Sequence, residues 1–246
     1  MATVYNGPMI RFRPLPGMTF WAVPALLILI SLGVWQIQRL NEKEALLASI
    51  AERMTALEAP LDEVLRLPIV ETEWRHVRAR GRFLHDKEAY VHAIEPELGL
   101  GVHVLTPLQM DEGGVVLVDR GFVPLASRPP DTRGAGQLEG EVDVSGIVRL
   151  AGERNMFTPA ADERERTWYW RDPEGVAEAS GVAIRAPLVI VADQPANPGG
   201  VPRFTGYRVD IPNNHLQYAL TWFGLALTLV GVYLAYHVRN GRLSFG

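Results

Sequence analysis

The chain has no cysteine among its 246 residues. That excludes disulfides, thiolate-ligated metals and a cysteine-based copper relay, and leaves the compartment open. It also lacks a basic surplus: a formal net charge of −4 gives no electrostatic footprint for a nucleic-acid partner. No P-loop or nucleophile elbow occurs, and "GAGQLEG" at 134–140 only brushes the dinucleotide glycine pattern. That stretch follows the loop "RPPDTRG" with no strand leading into it, which argues against a nucleotide. A membrane-anchored hydrolase would need a Ser/His/Asp or paired-carboxylate motif, and none stands out.

Charge itself is missing from two long windows. Residues 18–38 and 211–238 hold no Asp, Glu, Lys or Arg, and each reaches the roughly 20 residues that a helix needs to cross a bilayer core. "LGVWQIQRL" offers bulky residues where a signal-peptide cleavage site needs small ones, so the first window reads as a retained anchor. Little chain precedes it to hold an organellar transit sequence, which favours a bacterial origin. Trp21 and Trp35 sit near its ends, where indoles prefer the interface. Arg11 and Arg13 balance Arg39 and Lys43 across the first span, and Arg203 and Arg208 balance Arg239 and Arg242 across the second. Two spans place both termini on one side, and the nearly balanced charges lean only mildly towards that side being the cytoplasm. The expected division is a cytoplasmic tail (1–17), a transmembrane helix (18–38), a β-rich extramembrane domain with short helices (39–210), a helix start and second span (211–238) and a cytoplasmic tail (239–246).

Between the spans, residues 42–57 alternate charged and apolar positions at helical spacing and extend the first helix into water. From Trp74 the period becomes two. In "WRHVRARGRF", Val77, Ala79, Gly81 and Phe83 form one face, and His76, Arg78, Arg80 and Arg82 the other. Further strands are expected in "EAYVHAI", "GVHVLTPLQM", "GGVVLVDRGFV", "GEVDVSGIVRL" and "APLVIVAD", with a "DEGG" hairpin turn and a helix at 173–180. The fold class is thus an α+β membrane protein whose two transmembrane helices flank a small antiparallel sheet that curls or closes into a barrel. The Arg78/Arg80/Arg82 stripe could meet an acidic partner, lipid headgroups or haem propionates, although a solvated sheet face is the commoner situation. His76, His85, His92 and His103 have no metal-ligand spacing and read as surface or pairing residues. Asp119, Arg120 and Gly121 read as a strand-ending turn, with the arginine structural or docking.

The second span opens on "IPNNHLQYALTWFGLA". Asn213 and Asn214 after Pro212 are helix-start chemistry, with side-chain oxygens able to accept from first-turn amides. On a helical wheel His215, Tyr218, Ala219, Trp222 and Ala226 share one face, while Gly224, Thr228, Gly231 and Ala235 share the opposite one. The small-residue face is expected to pack on Ala22, Ala25, Leu29 and Gly33 of the first span, turning the His215 face outward. At the start of the helix the dipole disfavours imidazolium. A neutral His215 can ligate iron, with Tyr218 and Trp222 as flat surfaces against a macrocycle; an interfacial histidine in an aromatic belt is the other reading.

Four stretches, in order and spacing, resemble the surfeit locus protein 1 family: "LGVWQIQRLNEK", "GVHVLTPLQMDEGGVVLVDRGFVP", "NMFTPAADERERTWYWRD" and "RVDIPNNHLQYALTWFGLA". One departure is Thr167, where the family pattern leads us to expect Asn. The resemblance covers nearly the whole chain. It implies a non-enzymatic assembly factor for aa3-type cytochrome c oxidase, in a bacterial inner membrane with the main domain periplasmic. It further implies transient binding of haem a with His215 as the axial iron ligand, and Tyr218 and Trp222 as packing surface. The implied partners are oxidase subunit I, haem A synthase, other oxidase assembly factors and membrane lipid. The alternative is a haem-free membrane chaperone that stabilises subunit I.

Overall fold

The computed structural model describes residues 10–207, 209 and 212–245. In chain order the elements are β1 (Ile10–Phe12), α1 (Pro16–Thr55), β2 (Ala59–Pro60), α2 (Leu61–Val64), α3 (Ile69–Thr72), β3 (His76–Phe83), β4 (Ala89–Glu95), β5 (Gly99–Met110), β6 (Val115–Pro124), β7 (Val142–Leu150), β8 (Thr167–Trp168), α4 (Pro173–Ser180), β9 (Ile184–Gln194), α5 (His215–Arg239) and β10 (Leu243–Phe245). They form two compact units. One joins the chain up to Ala48 to the chain from Val209, and the other begins at Ser49.

In the middle unit, the period-two strands close on themselves. β3, β7, β9, β6 and β5 form a ring that the β3–β5 pairing completes. Gly81 is the hinge of that closure, pairing with Val142 on one side and Met110 on the other. A Cβ there would lie 2.1 Å from the Gln109 carbonyl oxygen, so only glycine permits the crossing. The interior holds Val77, Ala79, Leu108, Val118, Val144 and Ile190, among others, and each fully buried Val, Leu or Ile contributes about 1.5–3 kcal/mol. The expected barrel is present, but its pairing is mixed. β6 and β9 run parallel, because the connection that ends in α4 returns the chain as a crossover, and β4 and β8 are parallel as well. α4 occupies the expected residues: Asp172 accepts from the Gly175 amide at 3.0 Å, and Gly181 ends the helix in the left-handed region at φ 64°.

The other unit is an antiparallel pair, α1 against α5, with β1 pairing β10 across the tails. Both helices are long and apolar enough to cross a membrane. α1 runs unbroken for 40 residues, past the expected span and through the segment at 42–55, since that segment is rich in Ala, Glu and Leu. α5 starts at His215; Ile211, where a helix start was expected, and Arg208 lie outside the described residues. Asn214 is the N-cap, but its side chain makes no capping hydrogen bond, so the expected asparagine cap is not formed.

The packing face of α5 reverses the expectation. Ala219, Ala226 and His237 are buried, and Phe223 lies against Gly33, where a Cβ would come within 2.6 Å of its ring. Gly224 and Gly231 are exposed, and a Cβ added at either would meet nothing within 4 Å. Three polar contacts explain the choice: His215 Nδ1 to Gln36 Oε1 at 2.7 Å, Thr19 Oγ1 to Tyr233 Oη at 2.6 Å, and the Leu15 amide to His237 Nε2 at 3.2 Å. In an apolar medium such bonds favour one face over another that offers only close approach. The α1 side of the expectation holds, with Gly33 buried and Ala22, Ala25 and Leu29 half-buried.

Candidate functional site

His215 is the first residue of α5, half-buried, with its ring turned toward α1 rather than outward. Its partner Gln36 is 8% exposed. From His215 to His237 is about 33 Å at 1.5 Å rise per residue, close to the thickness of a hydrocarbon core. Tyr218, one turn on, is 55% exposed, and Trp222 is half-buried. His215 Nε2 has no hydrogen-bond partner among the described residues. A recess of about 560 Å³ opens at this end of α5, but Leu216, Gln217, Leu220 and Thr221 line it, not His215. The imidazole thus sits at the start of α5, on the helix that also carries Tyr218 and Trp222, and outside the lining of that recess.

In the middle unit, the structure assembles a buried ionic cluster that no motif announced. Glu88, 2% exposed in its side chain, receives a bidentate pair from Arg133, through Nη1 at 3.2 Å and a closer Nη2 contact. Arg120 Nη1 approaches the same carboxylate at 3.5 Å, and its Nη2 donates to Asn197 Oδ1 at 2.7 Å and to the Gly136 carbonyl. Its guanidinium stacks on Phe83 at 4.8 Å. Burial raises the Glu88 pKa, but hydrogen bonding from His85 and the charges of Arg133 and Arg120 outweigh it, leaving about 2. Burial is also the main influence on Arg120, bringing it down to about 10. A second buried pair stands beside it: Asp119, 6% exposed, bonds the His103 ring at 3.0 Å and accepts from the Gly121 amide at 2.9 Å. Burial works against His103, yet Asp119 and Glu95 raise its pKa; burial works against Asp119 too, yet His103 lowers it.

Asp119, Arg120 and Gly121 are therefore not a strand-ending turn but the interior of β6, a strand buried on both faces. Gly121 has φ 113°, and a Cβ there would lie 2.4 Å from the Arg203 carbonyl oxygen, where Phe122 and Arg203 exchange backbone bonds. The structural role given to Arg120 holds. Over residues 23–227 the chain matches the model of the SURF1 family. The chain belongs to the SURF1 family.

Among its relatives, human surfeit locus protein 1 is 39% identical over 212 residues, covering 79% of this chain and 69% of that protein. The chicken (Gallus gallus) protein of that name is 37% identical over 210 residues, covering 79% and 67%. A SURF1-like protein of Monosiga brevicollis is 33% identical over 245 residues, covering 93% and 91%.

In this SURF1 family chain, the other sequence-derived histidines serve as pairing residues. His76 bonds Asp193 at 3.1 Å, His85 bonds the Leu138 carbonyl at 2.9 Å, and His92 stacks on Tyr169 at 4.6 Å. The Arg78/Arg80/Arg82 face is exposed, and Glu141 pairs with Arg80 at 3.0 Å and Arg82 at 3.3 Å, as on a solvated sheet. Thr167 accepts from Arg128 Nη2 at 2.8 Å, so a hydroxyl serves as acceptor where an amide was expected. Sequence reasoning brought His215, Tyr218 and Trp222 onto one helix but missed Gln36. The uncharged polar residue inside an apolar window was the available signal.

Proposed function

We propose that this chain is a membrane-anchored, non-enzymatic assembly factor for aa3-type cytochrome c oxidase. In this reading it holds haem a through His215 and delivers it to oxidase subunit I. Membership of the SURF1 family supports a role in cytochrome c oxidase assembly. The observation that carries the haem reading is the half-exposed His215 at the edge of the helix pair, beside exposed Tyr218. The residues fit a transient cargo: among the described residues one imidazole nitrogen has no hydrogen-bond partner, and a single ligand favours release. Tyr218 and Trp222 would supply packing surface and His215 the coordinate bond.

The setting is an inner membrane with both tails cytoplasmic and the barrel periplasmic, in a bacterium. The partners are subunit I and, upstream, haem A synthase, with other assembly factors docking on the barrel domain. A strain lacking the protein is expected to lose assembled aa3-type oxidase activity and haem a content, and to retain quinol oxidases that contain no haem a. Normal oxidase in that strain, with no second family member present, would refute the assembly role.

One observation favours a haem-free chaperone as the second reading. Among the described residues the His215–Gln36 bond is one of three polar contacts that hold α5 to α1 and to Leu15 just before it, so a packing role accounts for it without cargo. A haem absorption band that co-purifies with the protein separates the two readings.

A further inference from the structure

We infer that Gln36 is a positioning residue for His215: it fixes the imidazole as its Nδ1–H tautomer and so presents the Nε2 lone pair for coordination. This rests on the haem reading above. The geometry is a single short contact, His215 Nδ1 to Gln36 Oε1 at 2.7 Å, between the first residue of α5 and a nearly fully buried amide of α1. With Gln36 presenting its amide oxygen, which can only accept, Nδ1 is the nitrogen that carries the proton. In a neutral imidazole the other nitrogen is then the acceptor. Free imidazole favours neither nitrogen strongly, whereas a bond near the apolar edge of a bilayer holds one proton position and one ring plane.

Gln36 is itself held in place. The facing registers Gly33–Phe223, Thr19–Tyr233 and Leu15–His237 lock the helix pair independently of it. Gln36 is uncharged, so it orients the ring without adding a buried charge to the membrane edge. His237, at the other end, makes the opposite use of the same chemistry: Nδ1 faces the Tyr233 carbonyl at 2.8 Å, Nε2 accepts from the Leu15 amide at 3.2 Å, and the ring is fully buried. Both of its nitrogens are engaged in packing, which leaves none for a metal. The difference between the two histidines is thus written in their second nitrogens.

The test uses the full chain in detergent micelles. First, in haem-free protein labelled with ¹⁵N-histidine, the His215 nitrogen shifts should report Nδ1–H with unprotonated Nε2; an Nε2–H tautomer would overturn the inference. Second, Gln36→Leu should mix the tautomers, weaken haem a binding by about 10- to 100-fold and shift the iron–histidine stretching frequency. Gln36→Glu, which keeps an acceptor, should retain binding with a lowered haem midpoint potential. Unchanged affinity and stretching frequency in Gln36→Leu would overturn the inference even if His215→Ala has lost haem, in which case the haem reading survives alone. If His215→Ala keeps its haem, the haem reading fails and the positioning role falls with it. Should Gln36→Leu not fold, the wild-type tautomer and the Gln36→Glu potential still decide the matter.

Discussion

Replacing Glu88 by Gln removes the only carboxylate shared by Arg133 and Arg120 among the described contacts, and the structure sets the size of the effect. The folded-state pKa of Glu88 falls from 4.5 to about 2. At about 1.4 kcal/mol per pH unit, that depression contributes roughly 3 kcal/mol of stability. Because the folded pKa is the lower one, the contribution is fully present above pH 4.5 and is lost as pH falls through about 2. Removing one partner of a buried pair also strands charge, at a cost of about 3–5 kcal/mol, so the two figures describe the same order of loss. For a unit of this size each kcal/mol shifts Tm by about 2–4 °C, and Glu88→Gln should melt roughly 6–12 °C lower at pH 7. Thermal melting in detergent from pH 7 to pH 2, read by tryptophan fluorescence, measures it; Trp168 lies in the same domain at 1% exposure. Wild type should converge on the variant as pH falls from 4.5 towards 2. Equal melting at pH 7, or a gap that persists unchanged at the acid end, would refute the account of the cluster.

His103 has the opposite sign. Its pKa is raised above 6.5 by Asp119 and Glu95, so its ion pair stabilises the fold below that value and is lost as pH rises through the folded pKa. His103→Gln should therefore flatten the stability profile on the alkaline side of 6.5, and a profile parallel to wild type there would contradict it. For topology, a periplasm-dependent reporter inserted at the exposed Met156–Phe157 loop should be active, and the same reporter fused after Gly246 inactive. The reverse pattern would overturn the orientation. Arg133 is a poor insertion point despite lying in a Pro/Gly loop, because it is buried against Glu88.

What was legible in the sequence was whatever local period encodes. Alternation located the six main strands, and the Asp172–Gly181 punctuation located α4. Charge-free length located both spans. What escaped depends on residues far apart in the chain. Arg133 meets Glu88 across 45 positions and Arg120 meets it across 32, so neither arginine carries a local sign of burial. Asp119-Arg120-Gly121 looks like a turn because those residue types favour turns, but barrel closure and the Arg203 segment cover both faces of β6 and override that preference. The helical wheel grouped the α5 residues correctly and then chose the wrong face. Small residues state that a helix can approach, while Gln36, Thr19 and the Leu15 amide decide where it does.

The most direct measurement of the central claim is the haem a spectrum of the purified protein, normalised to protein yield, for wild type and His215→Ala co-expressed with haem a synthesis. Loss of a side chain at the membrane edge leaves insertion intact, since even a mid-membrane charge shifts insertion by only about 2.5–3.5 kcal/mol. The account predicts a haem a band with wild type and none with His215→Ala at equal yield, while Tyr218→Leu and Trp222→Leu keep a weakened band. A full band in His215→Ala would contradict it and leave His215 as a packing residue of the helix pair.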